Sequence, residues 1–315
     1  MRRIPDIYAE KGAAGRPVVS IEFFPPKTPQ GDESLFRRVL PRLAEARPDF
    51  CSVTYGAGGG GTRARTLSIV DRMQREHGLT AMAHVTCVSF TRVEMNGFLD
   101  EAAGLGIENI LALRGDPPPG EPDFVRPAGG FDYAYQLIDV LKDRSDEFAV
   151  GCAGFPEGHP DCTEGRDVDW GRLRDKVAHG AEFILTQLFF DNADYFRMVD
   201  HLTGLLGVTV PITPGILPIL STKQIKRFTA LCGATLPAPL VADLDRLGDD
   251  DEAVTEFGIE FASRQCEALL AGGAPGLHLY GLNRSRSPLA ILRNLGLASA
   301  PRAAVPKGEP SVSGR

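Results

Sequence analysis

No apolar run in this sequence approaches the ~18 residues needed to cross a bilayer, and the N-terminus has no charged-then-apolar layout. A membrane partner is therefore not expected, and the expected location is the cytoplasm. Six cysteines, at 51, 87, 152, 162, 232 and 266, include no pair two residues apart, so neither a disulfide framework nor a zinc site is signalled and no metal is expected. Basic residues are in deficit: 34 Lys and Arg against 41 Asp and Glu leave a charge of −7, which argues mildly against a nucleic-acid partner. Neither a Walker loop nor a dinucleotide fingerprint is present, and no internal repeat divides the chain.

What is present is alternation. Hydrophobic residues make up 43% of 315 positions, enough for one large core or two modest ones. Residues 1–16 read as an irregular or helical lead-in. The stretch from Val18 reads as a buried strand that the pair Pro25-Pro26 ends, with a helical face of Leu35, Phe36, Val39, Leu40 and Leu43 after it and a second strand at Phe50 to Tyr55. Further strands are expected at 80–86, 107–113, 148–153, from 182, at 208–213 and at 276–280, each with a helix behind it. Residues 237–249 add a short helix before the last strand. Eight such units predict an α/β fold, the closed (β/α)8 TIM barrel, over residues 17–297 as a single domain. Residues 298–315, rich in Ala, Pro, Gly and Ser, read as a disordered tail.

Glu22 is out of place in its strand. A carboxylate among Ile21, Phe23 and Phe24 loses hydration, which raises its pKa unless a partner compensates. A core ion pair is the ordinary explanation for one such residue. In a barrel, however, polar groups at the carboxyl ends of strands converge on one mouth, which gathers Glu22, Thr54, His84, Asp116, His159, Gln187 and Arg284. Singly, each has a structural reading: His84 as a satisfied core histidine, His159 as a loop cap, Asp116 as a turn residue. The segment Gly56 to Thr62, between a strand and a helix, resembles a phosphate cradle, with a plain flexible loop as the alternative.

The stretches SIEFFPPK around Glu22, Ser52 to Ala57, His84 to Cys87, Ala112 to Asp116, Pro156 to Pro160, Thr186-Gln187, Pro214 to Pro218 and Leu282 to Arg284 carry a resemblance. In order and spacing they resemble the methylenetetrahydrofolate reductase family, in its bacterial single-domain form, over about residues 17–297. The resemblance implies non-covalent FAD at the barrel mouth, reduction by NAD(P)H, and ping-pong hydride transfer to 5,10-methylenetetrahydrofolate, giving 5-methyltetrahydrofolate for methionine synthesis in a homo-oligomer. It implies Glu22 as the general acid that opens the folate ring and Asp116 as the acid beside flavin and pterin. It implies flavin contacts from Thr54, His84, Arg114, Gly115, Asp116, Phe155, His159, Asp169 and Lys176. Folate contacts fall to Glu22, Gln187, Gln224 and Arg284, with Phe228 as an aromatic on which folate or nicotinamide can stack.

Three positions depart from the family's common residues: Phe155 stands for Tyr, Ala64 for an acid, and Gly281 for Thr. They bear on affinity and nucleotide preference rather than on reaction class. Two rival readings use the same mouth. A flavin-free barrel lyase or pterin-dependent methyltransferase would be colourless, and a silent folate- or flavin-binding protein would have no need of the proton donors Glu22 and Asp116.

Overall fold

The computed structural model describes residues 1–55, 63–116 and 126–298. The expected glycine-rich cradle at Gly56 to Thr62, the prolines from Pro117 to Pro119 and the tail after residue 298 lie outside them. Eight parallel strands close into a barrel in sequence order: β1 Val18–Phe23, β2 Phe50–Val53, β3 Ala81–Thr86, β4 Asn109–Leu113, β5 Ala149–Gly154, β6 Phe183–Leu188, β7 Ile212–Ile216 and β8 Gly276–Tyr280. β8 returns to β1 with Ser20 opposite His278 and Glu22 opposite Tyr280. The helix expected inside residues 237–249 is Ala238–Leu247.

Strand alternation divides the core into layers. One apolar set, including Val18, Phe50, Met82, Leu111, Phe183 and Leu185, packs together with Ile4, Ile7 and Tyr8. These last three come from the helix Ile4–Ala13, so the lead-in is a helix that plugs one end of the barrel. Tyr8 Oη and Thr213 Oγ1 are hydrogen-bonded at 2.6 Å, which satisfies both polar groups inside that plug. The opposite strand faces, among them Ile21, Val53, Val85, Ile110 and Ile184, meet the surrounding helices in a larger cluster.

The seventh strand differs from the expectation of 208–213. The β-branched run Val208 to Val210 drew that reading, yet the barrel uses Ile212–Ile216, with Pro214 inside it. Proline has no ladder donor, and the register between β6 and β7 slips beside it, from Leu185 opposite Thr213 to Leu188 opposite Gly215. The Thr186 hydroxyl takes over part of the ladder by accepting from the Gly215 amide at 2.9 Å. The irregularity leaves Thr186-Gln187 displaced from regular strand pairing.

Candidate active site

Glu22 is next to last in β1, on the inner face, and its side chain is only 14% exposed. Oε2 lies 3.2 Å from His278 Nε2 and 3.4 Å from His84 Nε2, so one carboxyl oxygen faces two imidazoles. Burial alone would raise the Glu22 pKa, but the imidazoles outweigh it and hold the carboxyl below its ordinary value. This corrects the expectation of a raised pKa from an apolar strand. The apolar neighbours Ile21 and Phe23 face outward into the helices, and the inward neighbours are polar. Burial also holds His84 down at about 4. A neutral His84 exerts little charge at pH 7, so the downward pull on Glu22 falls mainly to the His278 hydrogen bond.

A stability effect follows from His84. Between about 4 in the fold and 6.5 when free, the unfolded chain binds one more proton than the folded chain, so stability is full above the upper value and falls toward the lower. The loss between pH 7 and pH 5 is expected to be on the order of 2 kcal/mol. Glu22, held low, loses its own contribution only below 4.5, outside that window. Thermal melts of His84→Gln should show a flatter acid limb; a slope equal to wild type would contradict this assignment.

The other expected residues lie at or beyond the carboxyl ends of the other strands and in the helices behind them. Thr54 continues β2, its amide donating to the Phe23 carbonyl at 2.8 Å and its carbonyl accepting from Thr66 Oγ1 at 3.1 Å. Beyond β4, Arg114 pairs with Asp161 at 3.2 Å, and Asp116 is exposed. Gly115 between them has φ +86, and a Cβ there would lie 2.7 Å from Val88 Cγ1 and 2.8 Å from Thr86 Cβ, so only glycine fits.

After β5, the Phe155 and His159 rings meet with centroids 4.5 Å apart. Asp169 accepts from the His159 amide at 3.1 Å, which gives it a loop-holding task in addition to the expected flavin contact. Lys176 Nζ donates to the Ala153 carbonyl at 2.8 Å, which brings its charge to the end of β5. Gln187 spends its Oε1 on the Leu188 amide at 2.9 Å, leaving its Nε2 as the group to donate to a ligand. Gln224 and Phe228 line one cleft with Leu217, Ile225 and Leu282. Arg284, after β8, is exposed, and among the described residues its guanidinium forms no ion pair.

Two residues were missed by sequence reasoning. His278 sits in the apolar run Gly-Leu-His-Leu-Tyr, where a single histidine reads as core; the alternation that turns Tyr280 inward was the available signal. Asn283 has φ +52, and its carboxamide accepts from the Phe24 amide at 3.1 Å and donates to the Phe24 carbonyl at 2.8 Å. It thereby ties the exit of β8 to the exit of β1, beside Glu22. Asn283 stands within the resembling stretch Leu282 to Arg284, where only Arg284 is given a role.

Buried polar atoms without partners bear on whether a large polar cofactor suits this mouth. Among the described residues, Ser52 Oγ, His84 Nε2 and Thr86 Oγ1 are buried with no hydrogen-bond partner, on adjacent strands β2 and β3. Such atoms are rare in a finished core and fit a ligand bearing several donors and acceptors. With the close backbone at Gly115 and the cations Arg114 and Lys176, the set suits FAD.

The family model and the relatives compared by sequence agree on one family. The family model described as methylenetetrahydrofolate reductase matches residues 7–296. A probable methylenetetrahydrofolate reductase (NADH) of Oryza sativa subsp. japonica is 41% identical over 297 residues, 91% of this chain and 50% of its own length, so this chain spans about half of that relative. The 5,10-methylenetetrahydrofolate reductase of Escherichia coli K12 is 37% identical over 281 residues, covering 89% of this chain and 90% of its own. Among solved structures, an uncharacterized protein from Clostridium thermocellum that binds two copies of 5-methyl-5,6,7,8-tetrahydrofolic acid shares the fold, with a TM-score of 0.59 at 16% identity over 92% of this chain and 97% of that one. A match over nearly the whole barrel, including every stretch that lines the mouth, places this chain in the methylenetetrahydrofolate reductase family.

Proposed function

We propose that this chain reduces 5,10-methylenetetrahydrofolate to 5-methyltetrahydrofolate with NAD(P)H, by a ping-pong sequence through FAD. The observation that carries the proposal is Glu22, a nearly buried carboxyl at the barrel mouth with its Oε2 held by imidazole. When bound, FAD supplies the hydride transfer between nicotinamide and folate. The residues that would hold it are Thr54, His84, Arg114, Gly115, Phe155, His159, Asp169 and Lys176, and Asp116 would supply an acidic group beside it.

The chain itself supplies position and protons. Gln187 Nε2 donates to the pterin, Phe228 offers an aromatic face, and the Arg284 fork suits a carboxylate such as the glutamate tail. Glu22 gives a proton to the departing folate nitrogen, so that the five-membered ring opens to the iminium ion. The imidazoles hold the carboxyl low, and a substrate covering the mouth would exclude water from it. Dehydration shifts a carboxyl upward, toward the protonated form that a general acid needs.

The purified protein is expected to be yellow, to release FAD on denaturation, and to bleach anaerobically with NADH or NADPH and recolour on adding methylenetetrahydrofolate. Colourless protein that fails to take up added FAD would overturn the proposal and favour a flavin-free barrel enzyme.

A further inference from the structure

His278 and Ser20 form a buried chain behind Glu22. Ser20 is 0% exposed and His278 1% exposed, and they face each other across the β1–β8 ladder. Ser20 Oγ lies 2.8 Å from His278 Nδ1, and His278 Nε2 lies 3.2 Å from Glu22 Oε2. The imidazole is wedged between the Phe50 ring, centroid 6.4 Å away and nearly parallel, and the Tyr280 ring, 5.6 Å away and nearly perpendicular. Tyr280 is itself fixed by donating to the Thr186 carbonyl at 2.9 Å. The ring is thus packed between two aromatic neighbours, one of them hydrogen-bonded in place.

The proton count on this chain is constrained. A neutral imidazole carries one N–H, a carboxylate only accepts, and a hydroxyl can do either. Only one arrangement satisfies all three groups: the Ser20 hydroxyl donates to Nδ1, and Nε2–H donates to Glu22 Oε2. The other acceptor within reach of Ser20 is the Leu277 carbonyl, longer at 3.3 Å. Both imidazole contacts of Glu22 fall on Oε2, and among the described residues Oε1 accepts no hydrogen bond.

Resting on the general-acid reading above, we propose that Ser20 and His278 are positioning residues for Glu22: Ser20 fixes the imidazole tautomer, His278 pins Oε2, and Oε1 is the oxygen that carries and delivers the proton. The titratable groups that face this chain are His84 from β3, Tyr280 from β8 and, near Tyr280, Cys232 from the helix Thr222–Cys232. Burial keeps the Tyr280 phenol and the Cys232 thiol protonated through the working range, and His84 neutral. None of these three groups changes charge near neutral pH.

The test is nitrogen NMR of the whole protein labelled at histidine, with the His278 signals assigned by their loss in His278→Gln. The proton is expected on Nε2 in wild type, redistributed toward Nδ1 in Ser20→Ala and returned to Nε2 in Ser20→Thr. In stopped-flow mixing, Ser20→Ala should slow the folate half-reaction by roughly 10-fold to 100-fold with a displaced pH profile, and Ser20→Thr should recover it. A proton on Nδ1 in wild type, or a tautomer indifferent to Ser20→Ala, would overturn the inference even in an active enzyme. An Nε2 proton that responds to Ser20, in a protein that never reduces methylenetetrahydrofolate, would support the pinned carboxyl and sink the proposed reaction instead.

Discussion

Glu22→Gln is expected to split the two half-reactions. Anaerobic mixing with NADH or NADPH should bleach the bound flavin at a rate within roughly tenfold of wild type, because hydride leaves a nicotinamide without help from a protein acid. Recolouring by methylenetetrahydrofolate should slow by at least ~10²-fold, since the folate ring opens only when its departing nitrogen is protonated. Glutamine keeps the size of the side chain and can still accept from His278 Nε2, which lies 3.2 Å from the carboxyl in wild type. It has no proton to deliver. Equal slowing of both halves would mean that the substitution disturbed the mouth as a whole. Normal recolouring would leave Glu22 as a structural carboxylate paired with two core histidines.

The barrel was legible because its signals are redundant. Eight apolar strands each followed by a helical face survive an error in any one of them, and the misplacement of β7 by several residues changed nothing in the closure. The placement of the candidates was legible through topology: Thr54, His84 and Gln187 sit at or near the carboxyl ends of β2, β3 and β6, as the strand pattern implied. Partnership was not legible. The pairing of Glu22 with His278 spans 256 positions and depends on the β1–β8 register, which no local pattern encodes. The direction of the Glu22 shift was misjudged for the same reason. Its sequence neighbours are apolar, while its neighbours in space are imidazoles.

The same geometry explains why Asp169 and Gln187 have more to do than a motif match implies. Each uses one polar atom to hold backbone, the His159 amide in one case and the Leu188 amide in the other. A residue that fixes a loop and is also proposed to meet a ligand would be sensitive to substitution on both counts. Losses at these positions therefore mix misplacement of the loop with a missing contact, whereas Glu22→Gln, which preserves shape, isolates chemistry.

The largest stability effect is expected far from the mouth, where Gly151 and Phe183 face each other across β5 and β6. A Cβ at Gly151 would lie 2.2 Å from Cε2 of the Phe183 ring, so the ring occupies the space that a side chain would take. Phe183 is fully buried, with the Tyr8 ring 6.1 Å from its own, and it cannot swing aside. Phe183→Ala should cost about 3–5 kcal/mol through lost burial and the cavity left inside the barrel. Gly151→Ala should cost about 1–3 kcal/mol by overpacking the same site. Joining Gly151→Ala to Phe183→Leu, which shortens the ring side chain as the methyl is added, should cost less than the two single changes added together. Their coupling should reach at least ~0.5 kcal/mol, as expected for residues in contact. Urea titrations of the four proteins measure it. Strict additivity would mean that the glycine is there for another reason, and the space between these two strands would then not be what limits the packing of the barrel.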